Sequence, residues 1–454
     1  MARSARDTTS GADRGPTTIE LLRRRDFAIY WWSGLINSPG NWLHNVTASV
    51  LMYQLTGSPF MVGVLNFATF IPTLLFSMPA GSLGDRVDKQ RMVQVTQLCG
   101  GLVAGGLTLM SALGHVTPWV LVAACFLIGT ANAVTKPPIQ ALIPMIVPRG
   151  AIARATATNV MQFQFGQIVG PALASTVLLV ATPTWGFGIN ALTFLAPIVG
   201  MQLIHARPAQ GAARDGGGAV GAAAAADVGG AAAGAEATAA PSKKATSPRL
   251  LVEGFRFILR HPVMPMVLVM IVLTNATTEA LRTLSPTIAH ELLQPEAAGV
   301  VIMGYSIGAM CGLVGYGLIE RLLPRSRMLL TAFALQALGA VLVALAPNLP
   351  LSVVGALPIG IGFSLATPLL SASLQQLSPD EYRSRTMAAF QMAHLGVRPF
   401  FSLVAGAIAT VANAKVALAV FAVVAAASTV VAHRRQVVTD VDAARSPASS
   451  PARS

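Results

Sequence analysis

The sequence predicts an all-α polytopic membrane protein, with twelve transmembrane helices in two halves of six. Three observations carry that expectation. Hydrophobic residues make up 54% of the chain and charged ones 11%, where an average soluble protein is roughly 25% charged. Apolar runs of about 20 residues recur along its length, enough to carry a helix across a ~30 Å hydrocarbon layer. Lys and Arg, finally, alternate from loop to loop. Because the apolar runs are continuous, a membrane-spanning β-barrel is excluded.

The formal net charge of +13 would suit a nucleic-acid partner, but its placement points to a lipid bilayer and away from nucleic acid. Lys and Arg gather in the N-terminal tail, in loops near 86–91, 149–154, 207–260, 321–327 and 383–385, and in the C-terminal tail. The alternate loops, near 54–60, 112–117, 182–185, 287–298 and 346–350, hold none. Lys415 alone departs from the pattern. Such a bias puts both termini in the cytoplasm of a multi-pass inner-membrane protein. Residues 1–26 are polar and basic and the first apolar run is full length, so no cleavable signal peptide is expected. Cys99, Cys125 and Cys311 sit in apolar runs and read as small packing residues.

The cytoplasmic tail, 1–26, ends in a stretch from Ile19 to Phe27 that reads as a short amphipathic helix, with Arg23, Arg24 and Arg25 toward headgroups. An N-terminal half, 27–205, follows. Its first span, 27–53, is interrupted by Asn37-Ser38-Pro39-Gly40-Asn41 and His44-Asn45. Breakers at that depth are tolerated only beside protein or a water-filled cavity. Tyr30, Trp31 and Trp32 read as interfacial anchors. The next spans are 60–80, 92–113, 117–139, 157–181 and 185–204; the third carries Gly100-Gly101 and Gly105-Gly106, suited to close packing. Residues 206–262 form a cytoplasmic linker, mostly Ala, Gly, Ser and Pro up to 249, too poor in apolar surface to fold. The C-terminal half, 263–432, has spans at 263–288, 298–319, 327–346, 350–376, 386–411 and 414–432. A tail over 433–454 closes the chain. Six spans, a linker and six spans is the plan of two parallel halves related by an axis along the membrane normal.

Between the second and third spans lies Gly81-Ser82-Leu83-Gly84-Asp85-Arg86-Val87-Asp88-Lys89-Gln90-Arg91. It is a burst of charge between two uncharged runs. Gly81 lets two helices approach. Asp85 suits the N-terminus of a neighbouring helix, where the dipole favours an anion. Arg86, Lys89 and Arg91 hold the loop inside. A weaker copy, Leu318-Ile319-Glu320-Arg321, occupies the same place in the second half.

The spacing Gly-x-Leu-x-Asp-Arg-x-x-Lys-x-Arg resembles the loop signature of the major facilitator superfamily. Other stretches resemble its drug and siderophore exporter branch, the transmembrane secretion effector or enterobactin-exporter-like group. They include Arg25-Asp26-Phe27, Tyr53-Gln54-Leu55-Thr56-Gly57-Ser58-Pro59, Gln140-Ala141-Leu142-Ile143-Pro144, Val169-Gly170-Pro171-Ala172-Leu173 and Asn190-Ala191-Leu192-Thr193-Phe194. In the second half they are Glu253-Gly254-Phe255-Arg256-Phe257 and Gln375-Gln376-Leu377-Ser378-Pro379-Asp380-Glu381. The resemblance implies the major facilitator fold, a monomer, and gating roles for Gly81, Asp85, Arg86, Arg91 and Glu320. It associates Gly166, Gly170 and Pro171 with exporters; the other reading of those three is an ordinary packing kink. Val397-Arg398-Pro399 and the Ala-rich linker depart from the branch.

Candidate coupling and cargo residues come from polar groups inside spans. Glu279 and Arg282 are three apart on one helix face and can pair; charges at such depth cost about 2.5–3.5 kcal/mol each on insertion scales and usually face a cavity. Arg398 and Lys136 lack a nearby acid in sequence. They either bind an anionic cargo group or, for Lys136, snorkel to headgroups. His44 and His394 titrate near neutral pH or are packing residues, and Asn41 lies among the polar breaks of the first span. No phosphate-binding Gly-x-x-x-x-Gly-Lys-Ser/Thr loop is present, so neither an ATP-driven pump nor an enzyme is expected, and no cofactor or metal. The function expected is a secondary active transporter, exporting a small amphipathic or anionic molecule in exchange for protons by alternating access. The alternatives are a non-transporting sensor or assembly protein on the same fold, or an uptake permease.

Overall fold

A computed structural model describes residues 17–84, 87–204, 256–261, 263–292, 294–379 and 382–434. Asp85, Arg86, nearly all of the linker and the tail from 435 lie outside the described residues. A short helix, Thr18–Leu22, comes first. Thr17 and Glu20 cap each other's backbone there, Leu21 is buried, and Arg23, Arg24 and Arg25 are exposed.

The spans are α1 (Arg25–Thr56), α2 (Pro59–Gly84), α3 (Lys89–Ala112), α4 (Pro118–Ile146), α5 (Ile152–Val180) and α6 (Pro183–Thr193 continuing as Leu195–Leu203). After the linker come α7 (Met264–Glu291), α8 (Ala298–Leu322), α9 (Arg325–Leu345), α10 (Leu349–Leu377), α11 (Arg383–Leu395 continuing as Arg398–Val411) and α12 (Ala414–Arg434). Among the described residues, 11 helices are long and apolar enough to cross a membrane. The twelfth span is α1, which has the length but carries the polar breaks read from the sequence. Local chemistry sets the ends. Gly57 adopts φ 59° to terminate α1, a left-handed conformation that costs a glycine little. Thr117 and Asn348 cap the starts of α4 and α10. Asp88, three residues after Asp85, accepts from the Gln90 and Arg91 amides to cap α3.

Each packing contact in the first half recurs six spans later. The pairs α2–α4, α3–α4, α3–α6, α1–α5 and α1–α6 reappear as α8–α10, α9–α10, α9–α12, α7–α11 and α7–α12. The halves meet through α2 against α11 and α5 against α8, which are themselves a symmetric pair. Those contacts gather at the ends that carry the loops without Lys or Arg, Lys415 apart. There the Phe60 amide donates to Thr410 Oγ1 at 3.0 Å, and the Tyr53 and His290 rings stand 5.2 Å apart. Among the described residues, the contact toward the basic loops thins to the first piece of α11 touching α2.

Several local readings need correction. Trp31 Nε1 donates to the Thr158 carbonyl and buried Tyr30 Oη donates to Asn159 Oδ1. They tie α1 to α5, and only Trp32 stays exposed. Gly100 and Gly101 press on Phe194, while Gly105 and Gly106 face open space. Cys99 and Cys311 are exposed; Cys125 alone is packed. Gly170 is a true close-approach position. A Cβ there would run into the Trp42 side chain and stand 2.7 Å from the Pro39 carbonyl oxygen. The glycine therefore lets α5 cross α1 at its proline.

That crossing gives a direct test. Gly170→Ala is expected to destabilise the protein by about 1–3 kcal/mol through overpacking, while Gly105→Ala leaves stability unchanged. Thermal unfolding of the purified protein, followed by tryptophan fluorescence, reads both; equal midpoints would mean that the crossing relaxes freely.

Candidate functional site

The most enclosed span is α7. Its polar residues, Thr274, Asn275, Thr277, Thr278, Thr283, Ser285 and Thr287, are all buried. Such a helix must be surrounded by protein. Thr274 and Ser285 hydroxyls donate to the carbonyls of Met270 and Arg282, which removes their cost in a dry setting. Glu279 lies at mid-span, 1% exposed.

Opposite α7, α11 breaks at Gly396 and Val397, and its second piece starts at Arg398 with Pro399 following. Proline is well suited to a first turn because its missing N–H is not needed there. The break delivers Arg398 to Glu279: Nε donates to Glu279 Oε1 at 2.6 Å. Arg282 Nη1 donates to the same oxygen at 3.3 Å. One carboxylate thus holds two guanidiniums, from two helices.

Both guanidiniums also reach the other half. Arg282 Nη2 donates to Gln167 Oε1 of α5 at 3.1 Å, and its Cζ lies 5.0 Å from the Trp42 ring of α1 and 5.1 Å from the Tyr305 ring of α8. Arg398 Cζ lies 5.4 Å from the Phe70 ring of α2. Cation–π contacts of this kind strengthen when desolvated. Nearby, Asn66 Nδ2 of α2 donates to Thr283 Oγ1 at 3.4 Å. Arg282 Nε is buried without a hydrogen-bond partner.

The other candidates are dispersed. His394 Nδ1 lies 3.1 Å from Asn275 Nδ2, with its ring stacked on Phe390 and Phe363. It occupies the turn before Arg398, as Asn275 does before Glu279. His44 is buried against Cys125 Sγ at 3.6 Å and the Phe187 ring, within the first half. Asn41 accepts from Asn132 and donates to the Asn37 carbonyl. Lys136 is exposed on α4 and Arg91 is exposed on α3. Glu320 pairs with Arg325 at 3.2 Å across the α8–α9 turn, and Arg325 also donates to Gln376 of α10. Gly81 lies in the last turn of α2, while Gly166 and Gly170-Pro171 lie where α5 crosses α1.

Sequence reasoning missed Gln167, Trp42, Tyr305 and Phe70. Gln162, Gln164 and Gln167 in one apolar span were a readable signal, because unpaired amides are costly there; the aromatic residues gave none. One motif match is incidental. Gly304-Tyr305-Ser306-Ile307-Gly308 fits a nucleophile-elbow pattern, but that pattern needs a strand-to-helix turn. Here it continues α8, and Ser306 Oγ donates to the Ile302 carbonyl.

Residues 17–222 match the family model described as transmembrane secretion effector, and residues 276–452 match the one described as Major Facilitator Superfamily. The multidrug efflux pump Tap of Mycolicibacterium fortuitum is 22% identical over 401 residues, covering 86% of this chain and 91% of that protein. The staphyloferrin A transporter of Staphylococcus aureus is 24% identical over 167 residues, covering 37% of this chain and 42% of its own length. Among solved structures, the nucleoside transporter NupG superposes with TM-score 0.63 at 11% identity, over 91% of this chain and 98% of that one. A bacterial homologue of the human lysosomal transporter Spinster, in an inward-facing and unoccupied conformation, gives 0.61 at 16% identity, over 92% and 98%. These two likenesses establish the fold alone.

The shared carboxylate changes what substitution should do. From the sequence, Arg282→Ala would leave Glu279 buried and unpaired; the structure gives Glu279 a second partner in Arg398. Glu279→Gln removes the carboxylate from two guanidiniums at once and is expected to cost about 3–5 kcal/mol. Arg282→Gln should cost less, and adding Arg398→Gln to Glu279→Gln should recover part of the loss. Thermal melts of the four proteins measure this, and a Glu279→Gln midpoint equal to wild type would show that the pairs contribute nothing net.

Proposed function

We propose that this chain, which belongs to the major facilitator superfamily and its drug and siderophore exporter branch, exports a small amphipathic molecule by alternating access, with protons as the coupling ion. The observation that carries the reading is the Glu279 site, where a carboxylate at mid-span accepts from two guanidiniums, one of which also donates to Gln167 of the other half. With Glu279 ionised, Arg282 and Arg398 are held in place and lie against Gln167, Trp42 and Phe70 of the first half. Protonation removes the charge that holds them. Two buried guanidiniums then lack their counter-ion, an arrangement that is stable only if water enters or the helices part. A proton on Glu279 therefore biases the equilibrium between conformations, which is what coupling requires.

The closed end of the molecule carries the loops without Lys or Arg, Lys415 apart, and the positive-inside bias places that end outside. The state described is then closed to the exterior, and rocking of residues 27–205 against 263–432 would open it. Asp85, Arg86 and Arg91 on one side and Glu320 with Arg325 on the other would steady the inner gate. Gly166, Gly170 and Pro171 would serve as the crossing about which α5 moves on α1. We place the protein in the inner membrane as a monomer with both termini cytoplasmic, moving drug-like or siderophore-like cargo.

Transport by everted membrane vesicles, assayed with a panel of dyes, drugs and siderophores, tests this. An imposed pH gradient should change the accumulation of at least one compound in wild-type vesicles and change nothing in Glu279→Gln vesicles. A Glu279→Gln protein that still responds to the gradient would remove Glu279 as the coupling acid. Asp85→Asn should cut the transport rate while expression stays near normal; wild-type rates would remove its gating role.

A further inference from the structure

We propose that the site between α7 and α11 takes an organic monoanion, such as an aryl carboxylate, onto Arg282 and Arg398, and that this anion and a proton on Glu279 load together. The inference rests on the reading of this site as the transport site and adds the charge of the cargo and the sign of its coupling.

The charges decide the class. Glu279, Arg282 and Arg398 sum to one net positive charge, and no other Asp or Glu lies in the interior of any span. Glu279 is 1% exposed and Arg282 8%, so water screens the excess poorly. An organic cation would meet that positive charge and two guanidiniums that already occupy the carboxylate. An anion meets donors. Arginine offers five N–H groups in a planar fork suited to a carboxylate; of these, Arg282 Nε is buried and unpartnered, while Arg398 gives Nε to Glu279. The Trp42, Tyr305 and Phe70 rings beside the guanidiniums supply an apolar wall for the rest of an amphipathic molecule.

The sign of coupling follows from the same charges. A bound anion competes with the Glu279 carboxylate for the same N–H donors and repels it. Protonating Glu279 relieves both effects, so anion and proton each favour the other's binding, and by linkage the favour is equal. One monoanion and one proton leave the net charge of the site unchanged. Exchange of cargo for protons, expected from the sequence, requires the opposite: cargo and proton must exclude each other. For an anionic cargo the expectation therefore reverses. The anion leaves with its proton, electroneutrally, down a gradient maintained by its production inside.

Other titratable groups near Glu279 are few. Tyr305 of α8 and His394 of α11 lie within electrostatic reach of the two arginines. Spans α2 and α10, which pack on α7, carry no titratable side chain; α12 has Lys415, His433 and Arg434 only at its ends, and α1 has Arg25 and Asp26 at its start, Tyr30 on Asn159, His44 against Cys125, and Tyr53 beside His290 at its far end.

The test uses the purified full-length protein and three probes of one shape: naphthoate, its methyl ester, and naphthylmethylammonium. Calorimetry in two buffers of different ionisation enthalpy reads proton uptake per ligand bound. Naphthoate is expected to bind in preference to the ammonium and to take up about one proton, its affinity rising up to about tenfold per pH unit lowered while the free carboxylate is ionised. Glu279→Gln should bind naphthoate without that pH slope; Arg398→Gln should lose it, with Arg398→Lys retaining part. Binding with no uptake or with proton release, preference for the ammonium, or failure of naphthoate to bind at any pH overturns the proposal. So does a slope that survives Glu279→Gln and vanishes in His394→Gln. The wild-type measurement decides the sign even if a variant does not fold. Binding with proton uptake alongside absent vesicle transport would defeat the transport reading and leave this one standing.

Discussion

Nothing in a hydrocarbon layer hydrates an unpaired charge or an open backbone group. Most of this structure is a response to that constraint. It makes every long element a helix, since a helix satisfies its own backbone. It confines the broken elements, α6 at Phe194 and α11 at Gly396 and Val397, to places where protein surrounds them. It also explains why Glu279 has two partners and not one. At mid-span, 1% exposed, the carboxylate is tolerable only with good geometry and direct donors.

The second theme is repetition. The contacts of the first half recur in the second with the same partners six spans later, so each half has an architecture of its own. The chemistry of the candidate site does not repeat. Where α7 carries Asn275, Glu279 and Arg282, its counterpart α1 carries Asn41, His44 and Asn45. Charge is therefore concentrated in one half, and the other supplies rings and an amide, through Trp42, Phe70 and Gln167. In the proposed coupling, that asymmetry would connect protonation to movement. A charged group buried wholly inside one half would titrate without consequence for the interface. Two arginines anchored in one half and resting on the other would transmit a change in Glu279 across it.

Much of this was legible in the residues. Span positions follow from runs of uncharged residues, and the Glu279–Arg282 pair follows from helical periodicity, with its 3.3 Å contact in place. Legibility failed where a residue's role depends on what faces it. Gly100 and Gly105 look alike in sequence; only the first meets a ring. Trp31 and Trp32 are neighbours, yet one donates to a carbonyl on α5 and the other faces outward. Lys136 and Arg398 looked equally isolated, and only Arg398 turns toward an acid.

The sequence by itself determined how often the chain crosses, where the crossings fall and which loops share a side. Those properties depend on local length, apolarity and charge, which any short window contains. Only the tertiary structure decided which charges meet. Glu279 and Arg398 stand 119 positions apart, and Arg282 and Gln167 stand 115 apart. Their pairing has no local signal, because the desolvation that makes it matter arises only when helices from distant parts of the chain pack and exclude water.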